Sequence, residues 1–159
     1  RNNLSIPKQQ TLERLSDNFY LIPSNKKRNS DSVLSKIKSH QGSSEKIIII
    51  RDIAMNFIEF EDQRDYKIEE FFNKSVKDSW LVKKSMTQIM NTRLNEQFEA
   101  IDKLIPNHWI RLIGAGNGGY FLLSSKIEEE KIKNLSTHNC LKGIFKAKPS
   151  SEGLSNFII

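Results

Sequence analysis

The chain has 159 residues and a single cysteine, Cys140. That count excludes an internal disulfide and any Cys-x-x-C pair, and we expect a buried, inert thiol in a cytoplasmic protein. Histidine is scarce too. His40, His108 and His138 share no metal-ligand spacing and have no nucleophile beside them in sequence, so no metal site is expected. Long apolar runs are also missing: the longest pure one is the four isoleucines Ile47 to Ile50, far short of the ~20 residues that span a bilayer. No membrane partner is expected. Nor does a charged segment followed by an apolar run open the chain, so no signal peptide is expected; a first residue of Arg1 rather than Met leads us to expect a piece of something longer.

What the sequence does have suits one domain over residues 1–159, because 37% hydrophobic residues at this length supply a single core. Lys and Arg number 25 against 19 Asp and Glu, a formal charge of +6 that favours anionic partners without choosing one. Nucleic acid is not expected. It calls for basic residues interleaved with exposed aromatics, whereas Phe71, Phe72 and Trp80 fall at core-like helical spacing.

Phe19 to Ile22 reads as a short strand closed by Pro23. Ser30 or Asp31 is positioned to cap a helix that opens beside Arg28, and Ser43 or Ser44 a second one carrying Ile47, Ile50, Ala54, Phe57 and Ile58 inward. From Lys67 to about Met90 the apolar residues recur every four, giving a long amphipathic helix or a helix with one break, with Trp80 on the buried stripe. Asn91 or Thr92 caps the next helix, with Leu94, Phe98, Ile101 and Leu104 inward and Pro106 as its stop. The period then changes to strand, glycine loop, strand, and after a helix over Lys126 to Leu135 the segments "LKGIFKAKP" and "LSNFII" read as two further strands. The expected architecture is α+β: an antiparallel sheet of about four strands with helices packed mainly on one face.

The stretch "WIRLIGAGNGGYFLLSS" holds a literal G-x-G-x-x-G at Gly114, Gly116 and Gly119. A dinucleotide site needs the third glycine inside a starting helix and a carboxylate about 20 residues on, and neither is present. The phosphate loop of nucleotide hydrolases ends in Gly-Lys-[Ser/Thr], which is absent; protein kinases need His-Arg-Asp and Asp-Phe-Gly, also absent. A glycine-lined hairpin remains, whose backbone N–H groups suit an anion or a close backbone approach. Gly114, Ala115, Gly116, Gly118 and Gly119 put five small residues in a run of six, broken only by Asn117, more than a turn requires.

"LIGAGNGGYFLLSS" resembles the third motif of the GHMP small-molecule kinases, and its aromatic-and-leucine run is most similar to the D-glycero-D-manno-heptose 7-phosphate kinase branch. "KDSWLVKK", Lys77 to Lys84, resembles a helical segment of that branch, "RNSDSVL", Arg28 to Leu34, its Arg-Ser-x-Ser helix start, and "SSEGLSNFII" its closing strand. The order agrees over nearly the whole chain. Two departures are Asn117, where the family usually has glycine, and Asn29 and Asp31 around Ser30.

The resemblance implies a GHMP C-terminal domain, whose partner N-terminal kinase domain holds ATP and Mg²⁺ and carries the catalytic aspartate; no segment here matches that domain's Gly-Leu-Gly-Ser-Ser loop. Carried over by position, it makes Gly114, Ala115, Gly116, Asn117, Gly118 and Gly119 the nucleotide- and substrate-binding positions, with no catalytic residue in this chain. Arg28 suits a sugar or its phosphate, since a guanidinium matches phosphate bidentately beside a helix N-terminus. Lys83 and Lys84 are weaker substrate candidates, equally readable as surface residues in ion pairs. Two functions stand side by side: the substrate-side domain of a sugar or sugar-phosphate kinase, inactive alone and prone to self-association through the face meant for its partner, or a non-catalytic module that binds a small anion or a protein through the same loop.

Overall fold

A computed structural model describes residues 9–24, 42–62, 67–86, 89–106, 108–113 and 117–147. The β2–β3 hairpin, His108–Ile113 and Tyr120–Ser125, is its centre, paired antiparallel from His108 opposite Ser125 to Ile113 opposite Tyr120. β1, Phe19–Pro23, lies on the other side of β3, with Ile22 opposite Phe121, and the two-residue β4, Phe145–Lys146, closes the sheet against β1. The order is β2-β3-β1-β4, an open, fully antiparallel sheet in an α+β fold.

Alternation along these strands sends Tyr20, Ile22, Ile110, Leu112, Phe121 and Leu123 to one face, where all six are buried. Helix α4, Thr92–Leu104, meets that face with Leu94 and Ile101, both fully buried, and with Phe98, whose ring lies 6.3 Å from that of Phe121. α5, Glu129–Leu135, adds Ile132, and a 3₁₀ turn at Asn139–Leu141 adds Leu141. Trp80 joins the same cluster at 4% exposure, in its expected core place.

The helix expected over Lys67 to Met90 ends earlier. α3 is Ile68–Lys84, stopped at Ser85, and the chain then leaves the helix axis to bring Ile89 and Asn91 toward the β2–β3 loop. α3 passes the edge strand β2, so its two ends serve different faces. Phe72 forms a ring cluster with Phe19 and Trp109 on the second face, with centroids 5.4 to 6.2 Å apart.

α2, Ser43–Asp62, packs on α3 and confirms that the four isoleucines are helical. Its inward stripe is narrower than the spacing suggests. Phe57 is buried and Ile50 and Ile58 are half-buried, but Ile47 is 54% exposed, Ala54 is exposed, and Ile48, Ile49 and Met55 also face solvent. One neighbouring helix covers only part of an amphipathic surface, and among the described residues nothing covers the outer turns of α2. Phe57 instead builds a small separate cluster with Leu15 and Ile68, flanked by Phe60, Phe71 and Phe72. Leu15 belongs to α1, Gln9–Ser16, a short helix that the sequence reading did not anticipate. The helix expected beside Arg28 and the strand expected at "LSNFII" lie outside the described residues.

Candidate functional site

The return limb of the glycine loop has an uncommon backbone. Asn117, Gly118 and Gly119 take φ of 55°, 141° and 108°, three left-handed residues in succession. Glycine adopts such values freely, and asparagine is among the few other residues that tolerate the first of them. A side chain at Gly119 would find ordinary room, 3.5 Å from the Ile113 carbonyl oxygen, so it is the dihedral and not the space that calls for glycine there.

Asn117 is fixed at both ends. Its amide donates to the Ile89 carbonyl across 2.8 Å, and its Oδ1 accepts from Asn91 Nδ2 at 2.6 Å. Asn91 is also the N-cap of α4, its Oδ1 accepting from the Leu94 amide at 3.0 Å. One asparagine thus starts the helix and holds the loop. The loop therefore sits at the N-terminal, partially positive end of α4. On the other flank, the Ser24 amide donates to the Gly119 carbonyl at 2.9 Å, joining the end of β1 to the loop.

Ser24 itself is 1% exposed, and among the described residues its hydroxyl has no hydrogen-bond partner. A buried hydroxyl without a partner is costly, and this one belongs to the residue whose amide is bonded to Gly119. Gln97 of α4 fixes the surroundings by donating to the carbonyls of Pro23 and Cys140, at 3.0 and 2.9 Å. Burial raises the Cys140 pKa, with a smaller opposing effect from a backbone hydrogen bond, so the thiol is kept in its inert neutral form.

Of the positions singled out in the sequence, Asn117, Gly118 and Gly119 come together here, while Gly114, Ala115, Gly116 and Arg28 lie outside the described residues. Lys84 points elsewhere: its ammonium sits 4.4 Å from the centroid of the Phe98 ring, a cation–π contact. Lys83 is half-buried in the last turn of α3. Ser24 was missed because nothing in the sequence distinguishes one serine after a strand from another. Asn91 was legible as a cap, but its reach across 26 residues to Asn117 was not.

A polar depression of about 300 Å³ lies at the far end of the hairpin, lined among others by Asn18, Asn73, Lys77, His108, Trp109 and Lys126. Several of its groups already have partners: Trp109 Nε1 donates to Asn73 at 2.6 Å, Lys126 pairs with Glu69 at 2.9 Å, and His108 Nε2 lies 3.1 Å from Asp102, which is not part of the lining. The glycine loop, with an unpartnered buried donor at its side, is the better candidate. No family model matches the chain, and no curated protein matches it significantly.

Proposed function

We propose that this chain is the substrate-side, C-terminal domain of an ATP-dependent kinase that phosphorylates a sugar or sugar phosphate, of the GHMP type and nearest in character to heptose 7-phosphate kinases. Helices α4 and α5 cover the Phe121 face of the sheet, while Phe72 of α3 packs on the other face, so the helices do not all lie on one. The observation that carries it is the run of left-handed residues Asn117 to Gly119 beside the unpartnered hydroxyl of Ser24. Glycines in such a backbone leave it open to close approach by a ligand, and a hydroxyl donor next to it suits a phosphate oxygen. Phosphoryl transfer rests on positioning and charge stabilisation, which a fixed loop supplies without a reactive side chain.

Asn117 is a positioning residue on this reading, since its amide and side chain already serve Ile89 and Asn91. Among the described residues no group of three His, Cys, Asp or Glu side chains is placed to hold an ion. It is the resemblance that assigns Mg²⁺, the main contacts to ATP and the catalytic base to an N-terminal domain. The exposed isoleucines Ile47 to Ile49 are an apolar surface through which the chain alone self-associates.

The test is made on the product of the whole coding sequence, assayed for ADP formation with heptose 7-phosphate and other sugars and sugar phosphates. Turnover is expected there and none from the 159-residue chain alone. Ser24→Ala should lower turnover while leaving thermal stability unchanged or improved, because it removes a buried hydroxyl that has no partner. Gly118→Val should lower both. Phosphorylation by the chain alone would refute the division of labour, and an inactive full-length protein that still binds phosphate at the loop would make this a non-catalytic anion-binding module.

A further inference from the structure

A second cavity has no part in that reading. It lies between α2, α3 and the second face of β2, has a volume of about 290 Å³, and is walled by Ile50, Ile53, Ala54, Phe57, Ile58, Phe72 and Val76. This is the small end of the range for ligand cavities. Its three polar members are Ser75 and Ser79 of α3 and Arg111 of β2.

Arg111 is out of place among such walls. It is half-buried, its Nε is fully buried without a hydrogen-bond partner, and no carboxylate pairs with it among the described residues. Its one polar contact is Nη1 donating to Ser79 Oγ across 3.5 Å, at the limit of a hydrogen bond. Ser79 in turn donates to the Val76 carbonyl at 3.0 Å. Burial lowers the Arg111 pKa from its ordinary value, which reports the same lack of a compensating anion. Proteins pair a cation in apolar surroundings because leaving it alone is costly. An apolar pocket with one unmatched guanidinium is complementary to a molecule with an apolar body and a single negative end.

We infer that the groove between α2 and α3 binds a small amphipathic carboxylate, its carboxylate on the Arg111 guanidinium and its alkyl or aryl body among Ile50, Ile53, Phe57 and Phe72. A carboxylate accepts two parallel N–H bonds from the terminal nitrogens of the guanidinium fork. The exposed position of Ala54 on the rim leaves the groove open to solvent for entry. The site is separate from the glycine loop and does not depend on the kinase reading.

The test titrates the 159-residue chain with octanoate, octanol and octylamine, following the Arg111 Nε–H resonance and the methyl groups of Ile50 and Ile53 by NMR. Octanoate should move all three sets of signals and bind at least about tenfold more tightly than octanol, with octylamine weaker still. Arg111→Met should remove the preference for octanoate while leaving octanol binding in place, and Ala54→Trp, a rim substitution that spares the floor, should weaken both. Should Arg111→Met fail to fold, the three-ligand series on the unaltered chain still decides. Equal binding of octanoate and octanol overturns the proposal, as do octanoate shifts confined to other residues. Movement of the Arg111 signal on dilution without ligand, with no preference for octanoate, assigns the groove to a second copy of the chain and overturns it as well.

Discussion

The hairpin with α4 and the α2–α3 pair use apolar residues in opposite ways. In the first region, Leu94, Ile101, Leu112, Phe121 and Leu123 are all at 0% exposure, and the polar groups at its end, Asn91, Asn117 and Gln97, have partners across the chain. In the second, three consecutive isoleucines face solvent and an arginine faces an apolar groove. A sheet face offers a broad surface on which an amphipathic helix buries its whole stripe, while two helices alone bury only a narrow seam. Stability should therefore concentrate around Phe121, and capacity for further contacts around α2.

The sharpest test of that division is a pair of phenylalanines. Phe121→Ala should cost about 3 to 5 kcal/mol, and Phe57→Ala no more than about half of that, because the smaller cluster adjoins an open groove that can collapse around the gap. Denaturant midpoints with unchanged slopes measure both, and equal losses would erase the distinction.

A smaller effect separates the backbone of the loop from its bonds. Asn117→Val, forced to a positive φ, should cost about 1 to 3 kcal/mol. Asn117→Gly keeps the dihedral and loses the contact with Asn91, so about 1 kcal/mol is expected. If thermal unfolding ranks glycine below valine, the side-chain bond and not the dihedral selects asparagine there.

Asn91→Ala should cost about 1 kcal/mol as a lost helix cap, and in addition speed amide hydrogen exchange at Asn117, which a cap serving α4 alone would not do. Cys140 offers a milder contrast. Its raised pKa leaves less thiolate than an exposed cysteine has at the same pH, so alkylation by iodoacetamide should be slower than in the unfolded chain at neutral and mildly alkaline pH. The same shift means that Cys140 favours the fold below the ordinary thiol pKa, an advantage lost as pH rises through the raised value. Smallest of all, replacing Ile47, Ile48 and Ile49 by serine should change stability by within about 0.5 kcal/mol per site while reducing self-association in sedimentation.

Periodicity in the sequence determined much of this fold. A change from period near four to period two after Pro106 marked the hairpin, and the apolar stripe of Leu94, Phe98 and Ile101 marked α4, because local repeat and burial on one face are the same fact seen twice. Asparagine is the residue that best replaces glycine where the backbone is left-handed, and Asn117 takes such a φ, a local property that residue type alone can signal. What only the tertiary structure decided is how far each stripe is covered and which polar groups find partners. Ile47 carried the same signal as Ile50 yet lies in solvent, Asn91 reaches a residue 26 positions away, and Arg111, an ordinary polar position in a strand, stands at the floor of a groove made by two helices distant in sequence. Burial and pairing depend on which elements meet, and hydrophobic pattern, being one-dimensional, says that a face wants covering without saying what covers it.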